Sequence, residues 1–310
     1  MQIEADVRAR QMMKRRLSPM KTQEWLWGYI FVAPLILGIA VFYMWPVIQT
    51  FYFSFTEWGA FNKYSWSGLK NYERLLQDKV LWGAFRNTLL FVVWSVPLTV
   101  IFSIIVAALL NQKVRGLTIY RTLYFLPVVT MPAAVSIVWK WLYNGDYGFI
   151  NYILSFFHIK GPTWLSDPKF ALYAVIVVAV WMAIGNNMII LLSGLQGISS
   201  SYYEAAELDG AGPFYKFFNI TLPLLTPTIF FVMVMQLISA FQMFDLIFMM
   251  IGDKSIAIES AQTVVFIFYK YAFLDNAKGY ASTIAIVLLF VILIITAIQM
   301  KLQKKWVHYE

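Results

Sequence analysis

Long apolar runs separated by short polar or charged stretches set the rhythm of this chain. About 20 consecutive apolar residues cross the hydrocarbon core of a bilayer as a helix. Six stretches meet that measure: 26–52, 85–110, 119–142, 170–194, 222–250 and 278–300. The pattern predicts an all-α polytopic membrane protein with six transmembrane helices. An even number of crossings puts both termini on one side. Residues 1–25 are then a basic N-terminal segment, 26–300 the transmembrane domain and 301–310 a basic tail.

Lys and Arg concentrate in the cytoplasmic segments of membrane proteins. With both termini cytoplasmic, the inner segments 1–24, 112–121, 196–220 and 301–310 hold 13 Lys and Arg. The slightly longer outer set, 57–84, 144–169 and 252–277, holds eight. The bias is strongest in "RARQMMKRR", before the first span, and it favours termini inside.

Within the outer loops, "GLKNYERLLQDKVLWGA" places Leu69, Tyr72, Leu76 and Val80 at helical spacing, which predicts an amphipathic surface helix. "NGDYGFINYILSFF" is apolar enough to lie against the membrane, and packing as a lid is the other reading of both loops. Prolines mark the spans at Pro34, Pro46, Pro97, Pro127, Pro132, Pro223 and Pro227. Each removes a backbone donor and disfavours a straight helix. "LPVVTMPAAV", in the third span, reads either as ordinary bundle packing or as a broken helix beside a pathway.

Composition agrees with the pattern. The 310 residues are 60% hydrophobic and 13% charged, with mean hydropathy +0.67; soluble domains have about 25% charged residues. The first apolar run is too long and aromatic for a cleaved secretory signal. With zero cysteines there is no disulfide, thiolate nucleophile or Cys-based metal site. The two histidines, His158 and His308, fall in an outer loop and the tail, so no histidine dyad forms inside the bundle. The chain also lacks the G-x-x-x-x-G-K-[ST] phosphate loop. Concentrative transport would draw its energy from another chain or from an ion gradient.

Polar residues within spans usually face the bundle interior or a watery cavity. Asn186 and Asn187 lie near the middle of the fourth span. Gln236, Ser239, Gln242 and Asp245 recur every third residue in the fifth, a slanted polar stripe if that span is one helix. For the amides, interhelical hydrogen bonding and ligand contact both stand. Asp245 invites a cation at an outer helix end, such as Lys140, or direct contact with a substrate. Lys140 alternatively snorkels to the interface.

The stretch "EAAELDGAGPFYKFFNITLPLL" (204–225) falls in the cytoplasmic loop 196–220. Ser199-Ser200-Ser201 offers a helix cap, and Ser201 with Glu204 has the S-x-x-E spacing of a capping box, predicting a helix over 202–209 with Ala205, Ala206 and Leu208 as a small apolar surface. Gly210 suits a positive φ at the end of that helix, and Pro213 suits the start of a second. The result is a helix-turn-helix able to dock another protein.

This stretch resembles the "EAA" loop of ABC-importer permeases, E-A-A-x3-G-x9-I-x-L-P. The matches are Glu204, Ala205, Ala206, Gly210, Ile220, Leu222 and Pro223, in register. "YRTLYFLPVVTMPAAVSIVWKWLYNGDYGFIN", "FQMFDLIF" and "KGYASTIAI" extend the resemblance to carbohydrate (maltose-type) permeases over roughly 25–300. It implies a type I ABC-importer permease fold in the cell membrane. A non-identical sister permease, two ATPase subunits, an extracytoplasmic sugar-binding protein and membrane lipid would be the partners. ATP and Mg²⁺ would be held by the ATPase, with no cofactor in this chain, no enzyme activity and no nucleic-acid partner.

On that resemblance Glu204 pairs with basic residues of the ATPase, Gly210 permits the turn, and Glu207 and Asp209 add charge steering. Where the maltose permease has polar sugar contacts, this chain carries Ala179, Ala183, Gln236 and Ala240, so the sugar or its pose differs. "IGDKSIAIE" replaces the Gly-Gly-Pro that often follows the fifth span. No cluster of buried cations marks an anion site, which favours a neutral di- or oligosaccharide. The alternatives are a gradient-driven carrier or channel with an ion site near Asp245, and a membrane scaffold.

Overall fold

The computed structural model describes residues 19–59, 63–112 and 115–307. Most of the basic N-terminal segment, and His308 in the tail, therefore lie outside the described residues. The chain divides into two units, 1–53 and 54–310.

In the first unit, α1 (Pro19–Ile39), a π-helical turn (Ala40–Met44) and α2 (Trp45–Phe53) run on from one another. Gln23 to Phe53 form 31 apolar helical residues, about 46 Å at 1.5 Å per residue and so longer than the hydrocarbon core. The π turn ends just before Pro46. Proline offers no N–H to the carbonyl four residues back, and its ring collides with that carbonyl. Directly before the proline the turn is widened to an i→i−5 bond, Trp45 N–H to Ala40 O.

The second unit opens with a two-stranded hairpin, β1 (Thr56–Trp58) and β2 (Tyr64–Trp66), with Thr56 opposite Trp66. Strands were not expected in this loop. Next comes α3 (Lys70–Gln77), a surface helix where the amphipathic spacing expects one. Asn71 and Leu75 are buried, whereas Leu69, Leu76 and Val80 are exposed. The Asn71 amide decides this by donating to the carbonyls of Ser54 (3.0 Å) and Thr56 (2.8 Å).

Asp78 separates α3 from α4 (Lys79–Leu110) and caps the latter. Its Oδ1 accepts from the Val80 and Leu81 amides at 2.9 and 3.1 Å. Its Oδ2 accepts from the Tyr280 and Tyr271 hydroxyls at 2.8 and 3.1 Å. Partial burial pushes the Asp78 pKa up, but the Tyr280 hydroxyl, the Leu81 amide, the Tyr271 hydroxyl and the Val80 amide together hold it below the usual value.

Beyond α4 the third span is not one rod. α5 (Leu117–Val129) and α6 (Pro132–Leu142) meet at a bend of 100°, so the two prolines belong to a broken helix. α7 (Phe149–Phe156) lies in the following loop, and α8 (Ala171–Gly197) covers the expected fourth span and is long and apolar enough to cross a membrane. α4 and α8 form the most extensive helix pair of the unit. α4 buries Thr88, Ser95, Thr99 and Ser103, and Ser103 Oγ reaches Ile184 O of α8 at 3.5 Å. Small side chains allow such close helix approach in lipid. Gly185 extends the principle to α5: a Cβ there would lie 2.2 Å from the Tyr124 carbonyl oxygen and 2.9 Å from a Val128 methyl.

α9 (Ser200–Leu208), α10 (Pro213–Lys216), a π turn (Phe217–Thr221) and α11 (Leu222–Leu224) lead into α12 (Thr226–Phe241) across a 65° bend. The π turn again ends just before a proline, Pro223, and Leu222 N–H reaches Phe217 O. The expected fifth span 222–250 stops at Phe241, and α13 (Asp245–Met250) is a separate short helix. α14 (Ile258–Ala261), α15 (Val264–Tyr269), a further π turn (Lys270–Leu274) and α16 (Lys278–Leu302) complete the order. Asn87 ties this region to α4 by donating to the carbonyls of Glu259 (3.0 Å) and Gln262 (3.2 Å).

Two outcomes follow from these contacts. Gly185→Ala should destabilise the purified chain by about 1–3 kcal/mol through overpacking. Gly197→Ala, where no atom lies within 4 Å, should leave the thermal midpoint unchanged or higher. Asp78→Ala should cost about 0.5–2 kcal/mol at neutral pH through loss of the cap. Because the folded pKa is lowered, the Asp78 contribution is complete above the unfolded value of about 4 and lost as pH falls through the folded value. Thermal midpoints between pH 7 and 3 should therefore converge for the parent and Asp78→Ala at the acid end.

Candidate functional site: a polar cleft and a helical hairpin

The 199–223 hairpin is built from local rules. Ser199, rather than Ser201, caps α9, its Oγ accepting from the Ser201 amide at 3.4 Å. Ser201 is already within the first turn, so the expected capping box with Glu204 does not form. At the other end, Ala211 N–H bonds Ala206 O at 2.9 Å and Gly210 N–H bonds Glu207 O at 3.0 Å, the paired bonds of a Schellman turn. Gly210 has φ +75°, a conformation that side chains with a Cβ disfavour. Pro213 starts α10 at its first position.

Ala206 turns into the hairpin and is buried, while Glu204, Ala205 and Asp209 are exposed. The expected small apolar surface of Ala205, Ala206 and Leu208 is therefore not one patch. Leu208 (91% exposed), Phe214 (81%) and Tyr215 (60%) project instead. Sequence reasoning named Leu208 but passed over Phe214 and Tyr215; the available signal was their size in a segment too polar to be a span.

Two links join the arms. Lys216 Nζ donates to Glu207 Oε1 at 2.6 Å, and the Tyr203 hydroxyl meets Thr221 Oγ1 at 3.0 Å. The hydrogen bond from Lys216, then its positive charge, holds Glu207 below its ordinary pKa. Glu207 is thus committed inside the hairpin. Ile220 sits in the π turn, with Leu222 and Pro223 in α11.

The second cluster lies between α8, α12 and α13. Asn186, Asn187, Gln236, Ser239 and Asp245 line one cleft of about 310 Å³, with Phe91, Pro132 and Met243 among its apolar walls. Asn187 is buried and donates to Gln236 Oε1 at 3.1 Å. Asn186, Ser239 and Asp245 are exposed. Gln242 does not join the lining: it ends α12, and its amide bonds the Ser239 carbonyl at 3.2 Å. The polar stripe is therefore broken, and Asp245 reaches the cleft as the first residue of α13.

Lys140 does not pair with Asp245. Its Nζ points to Met249 O at 3.5 Å, beside a separate cavity of about 540 Å³ that Asp146 and Asp253 also line. Among the described residues no three His, Asp or Glu side chains converge as metal ligands.

Comparison with known proteins assigns this architecture. Residues 81–308 match the model of the binding-protein-dependent transport system inner membrane component. The chain belongs to this family. It is accordingly a multi-pass inner-membrane permease component of an ABC transporter. The probable ABC transporter permease protein YesP of Bacillus subtilis is 38% identical over 286 residues, covering 91% of this chain and 92% of that one. The multiple sugar-binding transport system permease protein MsmF of Streptococcus mutans is 33% identical, covering 90% and 96%. A chain of a bacterial ABC transporter for import of the acidic polysaccharide alginate superposes with TM-score 0.81 at 22% identity, covering 94% and 99%. That likeness speaks for the permease fold.

In the permease, the Asn187–Gln236 bond couples α8 to α12. A double-mutant cycle with Asn187→Ala and Gln236→Ala should return a coupling of about 0.6–2 kcal/mol in thermal stability, within the range of interhelical hydrogen bonds in membranes.

Proposed function

We propose that this chain is one permease subunit of an ATP-driven carbohydrate importer and contributes half of the translocation pathway. The observation that carries the reading is the hairpin. Its Gly210 turn holds the seven motif positions from Glu204 to Pro223 on a preformed, doubly braced unit. Exposed Leu208, Phe214 and Tyr215 beside the Glu204 and Asp209 carboxylates suit an apolar groove rimmed by cations on an ATPase. ATP and Mg²⁺ would bind on that partner.

The topology of this reading is six crossings with both termini cytoplasmic. Four helices are long and apolar enough to span, and the two bent pairs bring the number to six. Polar side chains facing outward at membrane depth need a watery cavity or a covering protein. Asn186, Ser239 and Asp245 therefore favour a pathway completed by a sister permease. The cleft lining holds no Lys or Arg, which suits an uncharged di- or oligosaccharide. MsmF is named for a multiple sugar-binding system, and a related alginate transporter structure contains a periplasmic protein bound to an alginate pentasaccharide. Those names support a carbohydrate here, delivered by an extracytoplasmic binding protein.

Glu204→Lys and Gly210→Pro test the docking. Each should leave the chain in the membrane while abolishing uptake and binding-protein-stimulated ATP hydrolysis, the charge reversal costing about 2–5 kcal/mol of docking. Full uptake in either variant would refute the assignment. Transport by the chain alone in liposomes without ATP would establish the gradient-driven carrier instead. In the coupled system, unchanged sugar uptake after Asn186→Ala would remove that residue from the path.

A further inference from the structure

α7 turns an apolar stripe away from the protein. Ile150, Asn151 and Leu154 face inward and are half-buried, whereas Phe149, Tyr152, Ile153 and Phe156 are exposed. Those four stand at i, i+3, i+4 and i+7, one side of the helix. The stripe is rigidly presented. Asn151 Nδ2 donates to the carbonyls of Gly145 (2.8 Å) and Pro162 (3.2 Å), and its Oδ1 accepts from Trp164 Nε1 at 2.7 Å. A single side chain thus ties together both ends of the loop and the helix between them. Tyr152 and Phe156 pack edge to face at 4.9 Å, so the aromatic rings form one surface.

No charged residue lies between Tyr147 and Phe157; Asp146 and Lys160 flank the segment. The apolar surface is also continuous with the span before it. Trp141, in the last turn of α6, lines the same groove of about 430 Å³ as Phe149, Tyr152 and Lys160. Below Trp141 on that helix, Ile137 and Val138 are exposed. The exposed apolar face of α6 therefore ends beside the groove that borders the outward side of α7.

We propose that α7 is an interfacial anchor that lays Phe149, Tyr152, Ile153 and Phe156 into the headgroup–acyl boundary of the nearer leaflet. The chemistry matches that boundary: the Tyr152 ring with its polar hydroxyl edge, an apolar stripe two turns long, and Lys160 at the rim for lipid phosphate. Ile153 and Phe156 carry no polar atom, so burial in the acyl region favours both. The anchor fixes the end of α6, and hence the broken third span, relative to the membrane plane. It does not depend on the identity of the transported molecule.

The absence of cysteine makes the test direct. Ile153→Cys, Phe156→Cys and, as an aqueous reference, Asp146→Cys would each receive one nitroxide label. The full chain, with the subunits that purify with it, is reconstituted in phosphatidylethanolamine–phosphatidylglycerol vesicles. At positions 153 and 156, collisions with oxygen should exceed those with a water-soluble nickel chelate severalfold, and the ratio should invert at 146. Water-like accessibility at 153 and 156 overturns the proposal. So does protection from both reagents, or a change on adding the binding protein, because each would place a protein on the stripe. All three side chains are exposed, so the labels leave the Ile150, Asn151 and Leu154 packing intact.

Discussion

Hydrocarbon offers the backbone no hydrogen bonds, so every break in a spanning helix must be closed from within the protein. This chain breaks its helices repeatedly and closes them with a small set of devices. At the 100° bend, Thr130 Oγ1 returns to Leu126 O at 2.9 Å and Ser136 Oγ to Pro132 O at 2.8 Å. At the 65° bend, Thr226 Oγ1 reaches Pro223 O at 2.6 Å. After α12 stops, Thr263 Oγ1 takes up Met243 O at 2.7 Å, and Lys140 approaches Met249 O. The π turns before Pro46 and Pro223 carry i→i−5 bonds, Trp45 N–H to Ala40 O and Leu222 N–H to Phe217 O, right up to the proline.

The constraint also explains which expectations survived. Long apolar runs and the twin prolines of the third span are readable because lipid demands them directly. The orientation of α3 was not readable, because apolar spacing tells which residues share a face but not which face is buried. Beside a membrane, Leu69 and Leu76 can stay exposed while Asn71 is sequestered by two carbonyls. On α4 the same inversion buries Thr88, Ser95, Thr99 and Ser103. The end of α12 was hidden too. No glycine or proline marks Gln242 to Phe244; the helix stops where Thr263, distant in sequence, takes the Met243 carbonyl.

The hairpin shows a different balance. Gly210 and Pro213 announce their conformations locally, so the turn was legible at the level of single residues. Three consecutive serines offer the cap equivalent hydroxyls, and only the backbone angles choose Ser199. The pairs Glu207–Lys216 and Tyr203–Thr221 required the fold, since their partners stand nine and 18 residues apart. In the cleft, the stripe logic found Gln236, Ser239 and Asp245, although Asp245 arrives from a second helix.

The bend at Leu225 has a mechanical meaning. Its side chain is 1% exposed and wedged in the core cluster with Met188 and Val232, so the elbow is locked rather than loose. A locked elbow behaves as a bell crank: a shove across one limb emerges as a tilt of the other. On the proposed reading of the hairpin as a docking unit, with it as the short limb and α12 as the long one, force received at Glu204 would be felt as rotation at Gln236 and Ser239. No side chain along the way would need to change partners.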